Sequence, residues 1–280
     1  MKTIPFFQVN AFTRERFRGN TAGVCLLEGL EDTDLLQSIA TENNHPATAF
    51  VRRTATGFSL RWFSPSKELP LCGHGTLATA HVLTEQGLLT TTEPAVFDTK
   101  GGLLTVSLQD GGWLEMAFPS FSPEPAELPV AIMRSFGASP RSVWFAQDRF
   151  LVELASEADV RRYKPDFSLL KDHRMIITAV ASAPNTVPNT ATSTAPSPAQ
   201  GAPYDFVSRF FGVPYGVGED AVTGSAHCAL APYWAGRLGK TTLNAYQASA
   251  RGGALKVRLE DDKVFIAGQA LTVLRGSLNL

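Results

Sequence analysis

The sequence is poor in cysteine and carries almost no net charge. Its 280 residues include 25 Lys plus Arg and 26 Asp plus Glu, which gives a formal net charge of -1 at pH 7. A chain without a basic excess lacks the electrostatic signature of a nucleic-acid-binding protein. Three cysteines, Cys25, Cys72 and Cys228, are too few and odd in number for a disulfide framework. We therefore expect an intracellular protein with no nucleic-acid partner.

Long apolar runs and metal-binding motifs are also missing. No apolar run approaches the length of roughly 18 residues that spans a membrane, so we expect no membrane association. The apolar stretch at residues 4–9 is too short and interrupted for a secretory signal, which favours the cytoplasm. The sequence contains no CxxC or HExxH pair, which predicts no metal site. Its length is sufficient for two domains of ordinary size.

Two stretches of the chain are versions of one unit. The first reads Leu71-Cys72-Gly73-His74-Gly75-Thr76, and the second reads Val222-Thr223-Gly224-Ser225-Ala226-His227-Cys228. In each case the glycine, Gly73 or Gly224, lies 28 residues before a Gly-Gly pair. Upstream, Arg61-Trp62-Phe63 corresponds to Arg209-Phe210-Phe211. This repeated spacing indicates a duplicated fold with two related halves.

In each half, a glycine-containing turn leads into a helix. The first backbone N–H groups of a helix have no partner inside the helix, and the helix dipole adds positive charge there. Two such ends together would bind an anion, typically a substrate carboxylate. We therefore predict a cleft lined by residues 72–76 and 222–226. Ordinary turns that need glycine for their geometry are the alternative. The substrate-binding residues predicted in these turns are Gly73, Gly75, Thr76, Thr223 and Gly224.

The composition of other segments predicts how the halves are built. Residues 76–86 and 225–236 are apolar or small on most sides, which is typical of buried helices, and we expect each inside a curved sheet. A proline-rich stretch near residue 120 divides the chain into halves at residues 1–120 and 121–280. Residues 179–203 hold five prolines and no charge, which predicts a disordered, mobile surface insert.

Taken together, the motifs resemble the phenazine-biosynthesis PhzF-like family of isomerases. The resemblance covers nearly the whole chain and rests on Asn10-Ala11-Phe12 with Gly19-Asn20, Arg61-Trp62-Phe63, Cys72-Gly73-His74, Glu219-Asp220, Thr223 to Cys228, and Gln247 with Arg251-Gly252-Gly253. It implies an α+β fold of the diaminopimelate epimerase type: two pseudo-symmetric domains, each an antiparallel sheet wrapped around a central buried helix. It also implies a cofactor-independent biosynthetic enzyme of secondary metabolism, a small-molecule substrate and a homodimer. Asn20 is implied as a further substrate-binding residue.

The sequence departs from the family pattern at one decisive position. The family stretch after the first helix runs roughly Glu-Met-Asn-Leu-Ser-Glu-Thr-Ala-Phe, and its second Glu is the acid/base that moves a proton between carbons. The corresponding segment here, residues 42–50, places Ala47 at that glutamate. A methyl group cannot transfer a proton, and general acid–base catalysis commonly supplies about 10²–10⁴-fold. His45 and Glu42 lie close enough in sequence to be considered as replacements.

The resemblance implies four candidate catalytic residues. His74, Asp220 and Ser225 match active-site positions of the family, and Cys72 matches one of two cysteine bases of the epimerase relatives, whose second position falls on Ala221. Three of them have a structural alternative. In that interpretation His74 only forms a hydrogen bond to its own turn, Asp220 is a helix cap, and Cys72 is retained without a catalytic use. Ser225 is expected to donate a hydrogen bond rather than to act as a nucleophile. The remaining residues, Cys25, Cys228, His81, His173 and His227, are interpreted as structural.

Two functional hypotheses follow. The first is an isomerase-like enzyme that acts by acid/base chemistry on a small carboxylate-bearing metabolite, recruited to cyclisation or lyase chemistry because Ala47 replaces the family base. The second is a non-catalytic small-molecule-binding protein that kept the cleft. A third, a structural or partner-binding protein, rests only on the segment at 179–203.

Overall fold

The computed structural model describes residues 3–29, 32–90, 93–182 and 204–280. These residues form two compact units. The first unit comprises Met1–Ala117 together with Ala267–Leu280, and the second comprises Phe118–Ile266.

The first unit contains two helices among its strands. Along the chain its elements are β1 (Thr3–Ala11), β2 (Asn20–Leu27), α1 (Thr33–Asn43), β3 (Ala47–Thr54), β4 (Gly57–Phe63), β5 (Glu68–Leu69), α2 (Gly73–Glu85), β6 (Ala95–Thr99), β7 (Gly102–Gln109) and β8 (Trp113–Pro119).

The remaining elements begin with a short strand and helix that precede the second copy of this order. They are β9 (Glu124–Pro125), α3 (Val130–Ser135), β10 (Ser142–Ala146), β11 (Arg149–Glu153), α4 (Glu157–Arg162), β12 (Arg174–Val180), β13 (Phe206–Gly212), β14 (Val217–Asp220), α5 (Gly224–Leu238), β15 (Thr242–Gln247), β16 (Gly253–Glu260), β17 (Lys263–Gly268) and β18 (Ala270–Asn279).

The strand pairings of the first unit are repeated in the second. In the first unit β2 pairs parallel with β3 and β4 pairs parallel with β6. In the second, β11 pairs parallel with β12 and β13 pairs parallel with β15. A helix crosses over between the strands of each parallel pair, as parallel pairing requires. The predicted α+β duplication is confirmed, and the mainly antiparallel strand pairings of each unit include two parallel pairs.

A buried helix forms part of the core of each unit. In α2, the residues with almost no exposure are Leu77, Ala78, Ala80, Val82 and Leu83, and the helix contacts β1, β2, β3 and β18. In α5 they include Ala226, Cys228, Ala229, Leu230 and Trp234, and the helix contacts β15 and β16. Small side chains allow the strands to approach each helix closely, and burying apolar area stabilises the arrangement by about 25 cal/mol per Å².

The structure corrects two of the predicted boundaries. The C-terminal strand β18 pairs antiparallel with β1, from Thr3 opposite Asn279 to Ala11 opposite Ala270, so residues 267–280 belong to the first unit rather than to the half at 121–280. The backbone groups at the edge of β1 gain hydrogen-bond partners by this pairing. The predicted insert at 179–203 begins too early, because β12 continues to Val180, and its residues 183–203 lie outside the described residues.

Register allows positions in the two units to be matched. In the first unit Thr48 lies opposite Phe63, and in the second Met175 lies opposite Phe211. Because Phe63 and Phe211 end the repeated Arg-x-Phe segments, the preceding residues of β3 and β12 also correspond. Ala47 of the first unit is therefore matched by Arg174 of the second.

The same reasoning extends to the adjacent strand. Ala22 of β2 lies opposite Ala47, and Arg149 of β11 lies opposite Arg174. The two units thus present a pair of alanines and a pair of arginines at equivalent places. Ala22 and Ala47 are completely buried.

Candidate functional site

The first turn of α2 is fixed by its own side chains. Cys72 is the N-cap residue in an extended conformation, and Gly73 begins the helix. The carbonyl oxygen of Cys72 accepts two hydrogen bonds from Thr76, one from its backbone N–H at 3.0 Å and one from Oγ1 at 2.8 Å. Thr76 is fully buried. Its hydroxyl therefore shapes the turn, and the predicted contact of this side chain with substrate stays a prediction.

Cys72 and His74 are in contact at this turn. The Sγ atom of Cys72 lies 3.5 Å from Nδ1 of His74 and 3.8 Å from Nε2. Cys72 is only 5% exposed, whereas His74 is partly accessible. A helix N-terminus favours the thiolate form of a cysteine, and an adjacent imidazole can take up or return the proton. The two side chains are therefore close enough for a proton to pass between them, and their use in catalysis stays a prediction.

Gly75 is required by the packing around this pair. A Cβ atom on Gly75 would lie 2.8 Å from Cδ1 of Trp62 and 3.0 Å from Sγ of Cys72. Both distances are shorter than carbon contacts tolerate, so any larger residue displaces either the indole or the thiol. The glycine predicted as a binding residue therefore sets the position of Cys72.

The first turn of α5 is held by a glutamine from β15. Thr223 is the N-cap residue of α5, and its backbone N–H donates to Oε1 of Gln247 at 2.9 Å. Nε2 of Gln247 donates to the carbonyl oxygen of Asp220 at 2.9 Å and to Oγ1 of Thr223 at 3.2 Å. Gln247 is fully buried. Its amide ties the end of β14 to the start of α5.

Asp220 faces this same turn. Its Oδ2 accepts a hydrogen bond of 2.6 Å from Oγ1 of Thr223. Thr223 occupies the N-cap position, so the alternative that Asp220 caps the helix is not what the structure shows. The neighbouring Glu219 has a different task, because it forms an ion pair with Arg209 at 2.6 Å.

The position matched to Cys72 in the second unit is Thr223 rather than Ala221. Both are N-cap residues, and each is followed by the glycine that begins its helix. The carbonyl oxygen of each N-cap residue also accepts a hydrogen bond from the side chain four residues later. In the first unit Thr76 donates to Cys72, and in the second His227 donates through Nδ1 to Thr223 at 2.8 Å. The assignment to Ala221 was wrong by two residues, because the repeat that matches Gly73 with Gly224 already places Thr223 opposite Cys72.

Ser225, the second residue of α5, is held by an arginine that sequence reasoning did not select. NH1 of Arg149 lies 3.1 Å from Oγ of Ser225. Arg149 is 4% exposed, and its Nε donates to Oδ1 of Asp148 at 2.7 Å. Arg174 also donates to Asp148 through NH1. A charged residue at the head of the apolar run Phe150-Leu151-Val152 was the available signal for Arg149.

Asn20, the remaining predicted binding residue, begins β2 and is fully buried. The turn before it depends on Gly19, which adopts a left-handed conformation with φ of 66°. A Cβ there would lie 2.1 Å from the carbonyl oxygen of Ala11, so only glycine fits. The neighbouring Thr21 donates through Oγ1 to Oδ1 of Asn10 at 3.1 Å.

The residues near Ala47 do not replace the family base in an obvious way. His45 stacks on Phe6, with ring centroids 6.4 Å apart and planes inclined by 9°, and burial lowers the pKa of its imidazole. Glu42 is exposed to solvent. Ala47 itself has no exposed surface.

The other cysteines and histidines occupy structural positions. Burial raises the pKa of Cys25 and of Cys228 to about 12, so both are neutral thiols at physiological pH. His227 is fully buried, and burial lowers the pKa of its imidazole to about 4. Over the described residues, no three His, Cys, Asp or Glu side chains are grouped to hold a metal ion. Within the same part of the chain, no helix has the length and apolarity to cross a membrane.

The structure thus gathers the predicted residues into two groups. Cys72, Gly73, His74, Gly75 and Thr76 form the first turn of α2 in the first unit. Asp220, Thr223, Gly224 and Ser225 meet at the first turn of α5 in the second, with Gln247 and Arg149 as additional members. The expectation that both turns line one cleft stays a prediction.

Comparison with known proteins places the chain in a family. A family model described as phenazine biosynthesis-like protein matches residues 9–276. An uncharacterized isomerase of Halalkalibacterium halodurans is 44% identical over 283 residues, covering all of both chains. A crystal structure of a PhzF-family phenazine biosynthesis protein from Enterococcus faecalis is 34% identical, with a TM-score of 0.88 over the full length of both chains.

A more distant structure shares the fold alone. A predicted epimerase of Pseudomonas aeruginosa is 17% identical, with a TM-score of 0.67 and 99% of each chain covered. The name isomerase is carried by relatives that are 44% and 42% identical, and it supports an isomerase-type function. The resemblance inferred from the motifs is confirmed over nearly the whole chain. The chain belongs to the phenazine biosynthesis-like protein family.

Proposed function

We propose that the chain is a cofactor-independent enzyme that moves a proton on a small carboxylate-bearing metabolite, with Cys72 and His74 as the acid/base pair. The observation that carries this proposal is the 3.5 Å contact between the Cys72 sulfur and Nδ1 of His74 at the first turn of α2. General acid–base catalysis requires such groups within reach of one another and of the proton to be moved.

The chemistry needs no redox partner. A thiolate removes a proton from the carbon next to the carboxylate, and the electron pair is delocalised into that group. The proton returns to the same carbon on its opposite face, or to the far carbon of a double bond conjugated with it. In a lyase or cyclisation step the electron pair instead expels a leaving group from the neighbouring carbon. The imidazole of His74 restores the thiolate by accepting its proton. Cys72 and His74 together supply both steps.

The groups of the second unit are suited to binding rather than to proton abstraction. Asp220 accepts from Thr223, and Ser225 accepts from Arg149, so both are oriented by neighbours. The first backbone N–H groups of a helix attract carboxylates. We propose that this turn holds the carboxylate while Asp220 orients or protonates the remainder of the substrate.

Ala47 favours recruitment to a reaction other than the proton shift that depends on the family glutamate. Its methyl group is fully buried, and the reactive groups that remain belong to the two helix turns. We propose cyclisation or lyase chemistry on the same class of metabolite. As the resemblance implies, we further propose a cytoplasmic homodimer, which sedimentation equilibrium of the pure chain tests.

The alternative is a non-catalytic protein that binds a small carboxylate. The buried Ala47 methyl at the position of the family base is the observation that favours it. Binding without any exchange or product would follow from this alternative.

Turnover distinguishes these functions. The full chain is incubated in D₂O with a panel of small carboxylates, including 2-hydroxy, 2-amino and α,β-unsaturated acids, and each is analysed by NMR and mass spectrometry. Deuterium incorporation or a new product that His74→Ala abolishes supports the enzyme. If a panel member binds saturably and no panel member gives deuterium incorporation or a new product, the protein is a binding protein.

A further inference from the structure

Arg149 is a buried cation with unused hydrogen-bond donors. Its side chain is 4% exposed and lies over the ring of Phe210, with 5.4 Å from Cζ to the ring centroid. Of the five N–H groups of a guanidinium, one is donated to Asp148 and one to Ser225. The other three N–H groups find no acceptor among the described residues.

Another buried arginine shows how a purely structural one is satisfied. Arg209 is 8% exposed, and its Nε and NH2 donate to the two oxygens of Glu219 at 2.6 and 2.8 Å. Its NH1 donates to the carbonyl oxygens of Val160 and Tyr163 at 3.1 and 2.6 Å. All three nitrogens are engaged, as buried charges require. Arg149 is equally buried and is left half satisfied.

One terminal nitrogen of Arg149, NH1, lies at the start of a helix. NH1 contacts Ser225, the second residue of α5, whose hydroxyl oxygen accepts from the arginine and whose proton is therefore directed elsewhere. The backbone N–H groups of Gly224 and Ser225 precede the first hydrogen bond of α5, which Ala226 donates to the carbonyl oxygen of Thr223 at 3.2 Å. Guanidinium, hydroxyl and backbone donors converge there, and a planar oxyanion is the acceptor that matches such a set.

We propose that Arg149 is the cationic residue of an anion site in the second unit, which binds one carboxylate together with the Ser225 hydroxyl and the first turn of α5. This inference rests on the proposed function only for the identity of the anion as the carboxylate of the substrate. Asp148 and Arg174 keep the guanidinium in place, since both salt bridges meet on the same carboxylate. The equivalent residue of the first unit, Ala22, offers no charge.

The test uses the full chain labelled with ¹⁵N and two probes of similar size, acetate and acetamide. The backbone amide of Ser225 is followed during each titration. Acetate is expected to give a saturable shift and acetamide none, because only the anion pairs with the guanidinium. Arg149→Met is expected to weaken acetate binding about tenfold or more, the range of a hydrogen bond to a charged group.

Three further variants make the result specific. Arg149→Lys keeps the charge without the planar fork and is expected to lose less affinity than Arg149→Met. Ser225→Ala, followed at the Gly224 amide, is expected to weaken acetate binding as well, and it reports on the site if Arg149→Met does not fold. Arg61→Met removes an arginine of the first unit that pairs with Glu68, and acetate affinity should be unchanged.

The proposal is overturned if wild type shows no saturable acetate shift, if acetamide binds equally well, or if Arg149→Met binds acetate like wild type. Where Arg149→Met does not fold, unchanged acetate binding by Ser225→Ala overturns it. Failure of the proposed function looks different. If the protein binds acetate through Arg149 but exchanges deuterium on no carboxylate, the proposed anion site stands and the proposed enzyme activity is wrong. If the protein exchanges deuterium and Arg149→Met binds acetate with unchanged affinity, the proposed enzyme activity stands and the proposed anion site is wrong.

Discussion

The two units share an order of strands and helices but differ in the chemistry at equivalent positions. At the N-cap and second helix position the first unit has Cys72 and His74, whereas the second has Thr223 and Ser225. On the neighbouring strands the first unit has two buried alanines and the second has two arginines. A duplicated scaffold therefore carries a thiol and an imidazole at one helix start and two hydroxyl groups at the other. Backbone geometry fixes where a site can be built, and side chains alone decide what it does.

The largest expected effect removes the thiol of the first unit. Cys72→Ala should reduce deuterium exchange on an active carboxylate by about 10²–10⁴-fold, the usual contribution of a general base. The matched control is Cys228→Ala, which removes a neutral buried thiol from α5 and should retain most of the exchange rate. Equal losses in both variants would contradict the assignment of proton transfer to the first unit.

The next largest expected effect is a loss of stability when a carboxylate is buried at position 47. Ala47→Glu places an unpaired acid in a fully buried place and should lower the free energy of unfolding by about 3–5 kcal/mol at pH 7. Ala47→Gln, of the same size and without charge, should cost about 1–3 kcal/mol through overpacking. Urea unfolding measures both.

Activity of the same two variants separates recruitment from decay. If the chain has been recruited to another reaction, Glu and Gln at position 47 both reduce its native turnover. A gain of proton exchange in Ala47→Glu that Ala47→Gln does not share would instead identify a decayed isomerase that lacks only its base.

His227 makes the second unit sensitive to acid, whereas its counterpart Thr76 cannot titrate. Burial lowers the pKa of His227 to about 4 from the ordinary imidazole value of 6.5, so the unfolded chain binds more protons than the folded chain between these pH values. The contribution of neutral His227 is present above pH 6.5 and is lost as the pH falls toward 4. Between pH 7 and pH 5 the loss should be about 2 kcal/mol.

His227→Thr copies the residue of the first unit and tests that window. Its free energy of unfolding should fall by about 2 kcal/mol less than that of wild type between pH 7 and pH 5. The variant loses some packing at every pH, so the difference between the two pH values is the informative quantity. Identical differences in variant and wild type would show that His227 does not control the acid sensitivity.

The smallest expected effects come from exchanging small residues between the helix starts. Gly75→Ala should cost about 1–3 kcal/mol, because the new methyl meets Trp62 and Cys72. Ala226→Gly in the matched turn should cost about 1 kcal/mol through helix propensity. Only Gly75→Ala should also reduce exchange, since it displaces the Cys72 sulfur. A normal exchange rate in Gly75→Ala would show that the thiol position is not critical.

Much of the fold was predictable because its signals are local. The apolar helices, the alternating strands near 254–259 and the turn at residues 260–262 agree with α2, α5, β16 and β17. Burial of small apolar residues on all sides is visible in the sequence itself. The 28-residue spacing between a glycine turn and a Gly-Gly pair occurs in both halves, and this repetition predicted the duplication.

What the sequence did not predict depends on contacts between distant residues. Nothing near residue 279 signals that β18 lies against Thr3, and the two-residue strands β5 and β9 are too short to show a period. Arg149 meets Ser225 across 76 residues of sequence, so its role emerged only from the fold. In contrast, Cys72 and His74 are two residues apart, and their contact follows from one helical turn.

One paired measurement tests the division between the units most directly: the dissociation constant and the saturated deuterium-exchange rate of an active carboxylate, determined for His74→Ala and Ser225→Ala. We expect His74→Ala to lose exchange by about 10²-fold or more while binding within about threefold of wild type. We expect Ser225→Ala to bind about tenfold more weakly while its saturated rate stays within about threefold. If both variants lose binding and exchange together, or if wild type exchanges nothing, the proposed separation of proton transfer from anion binding is wrong.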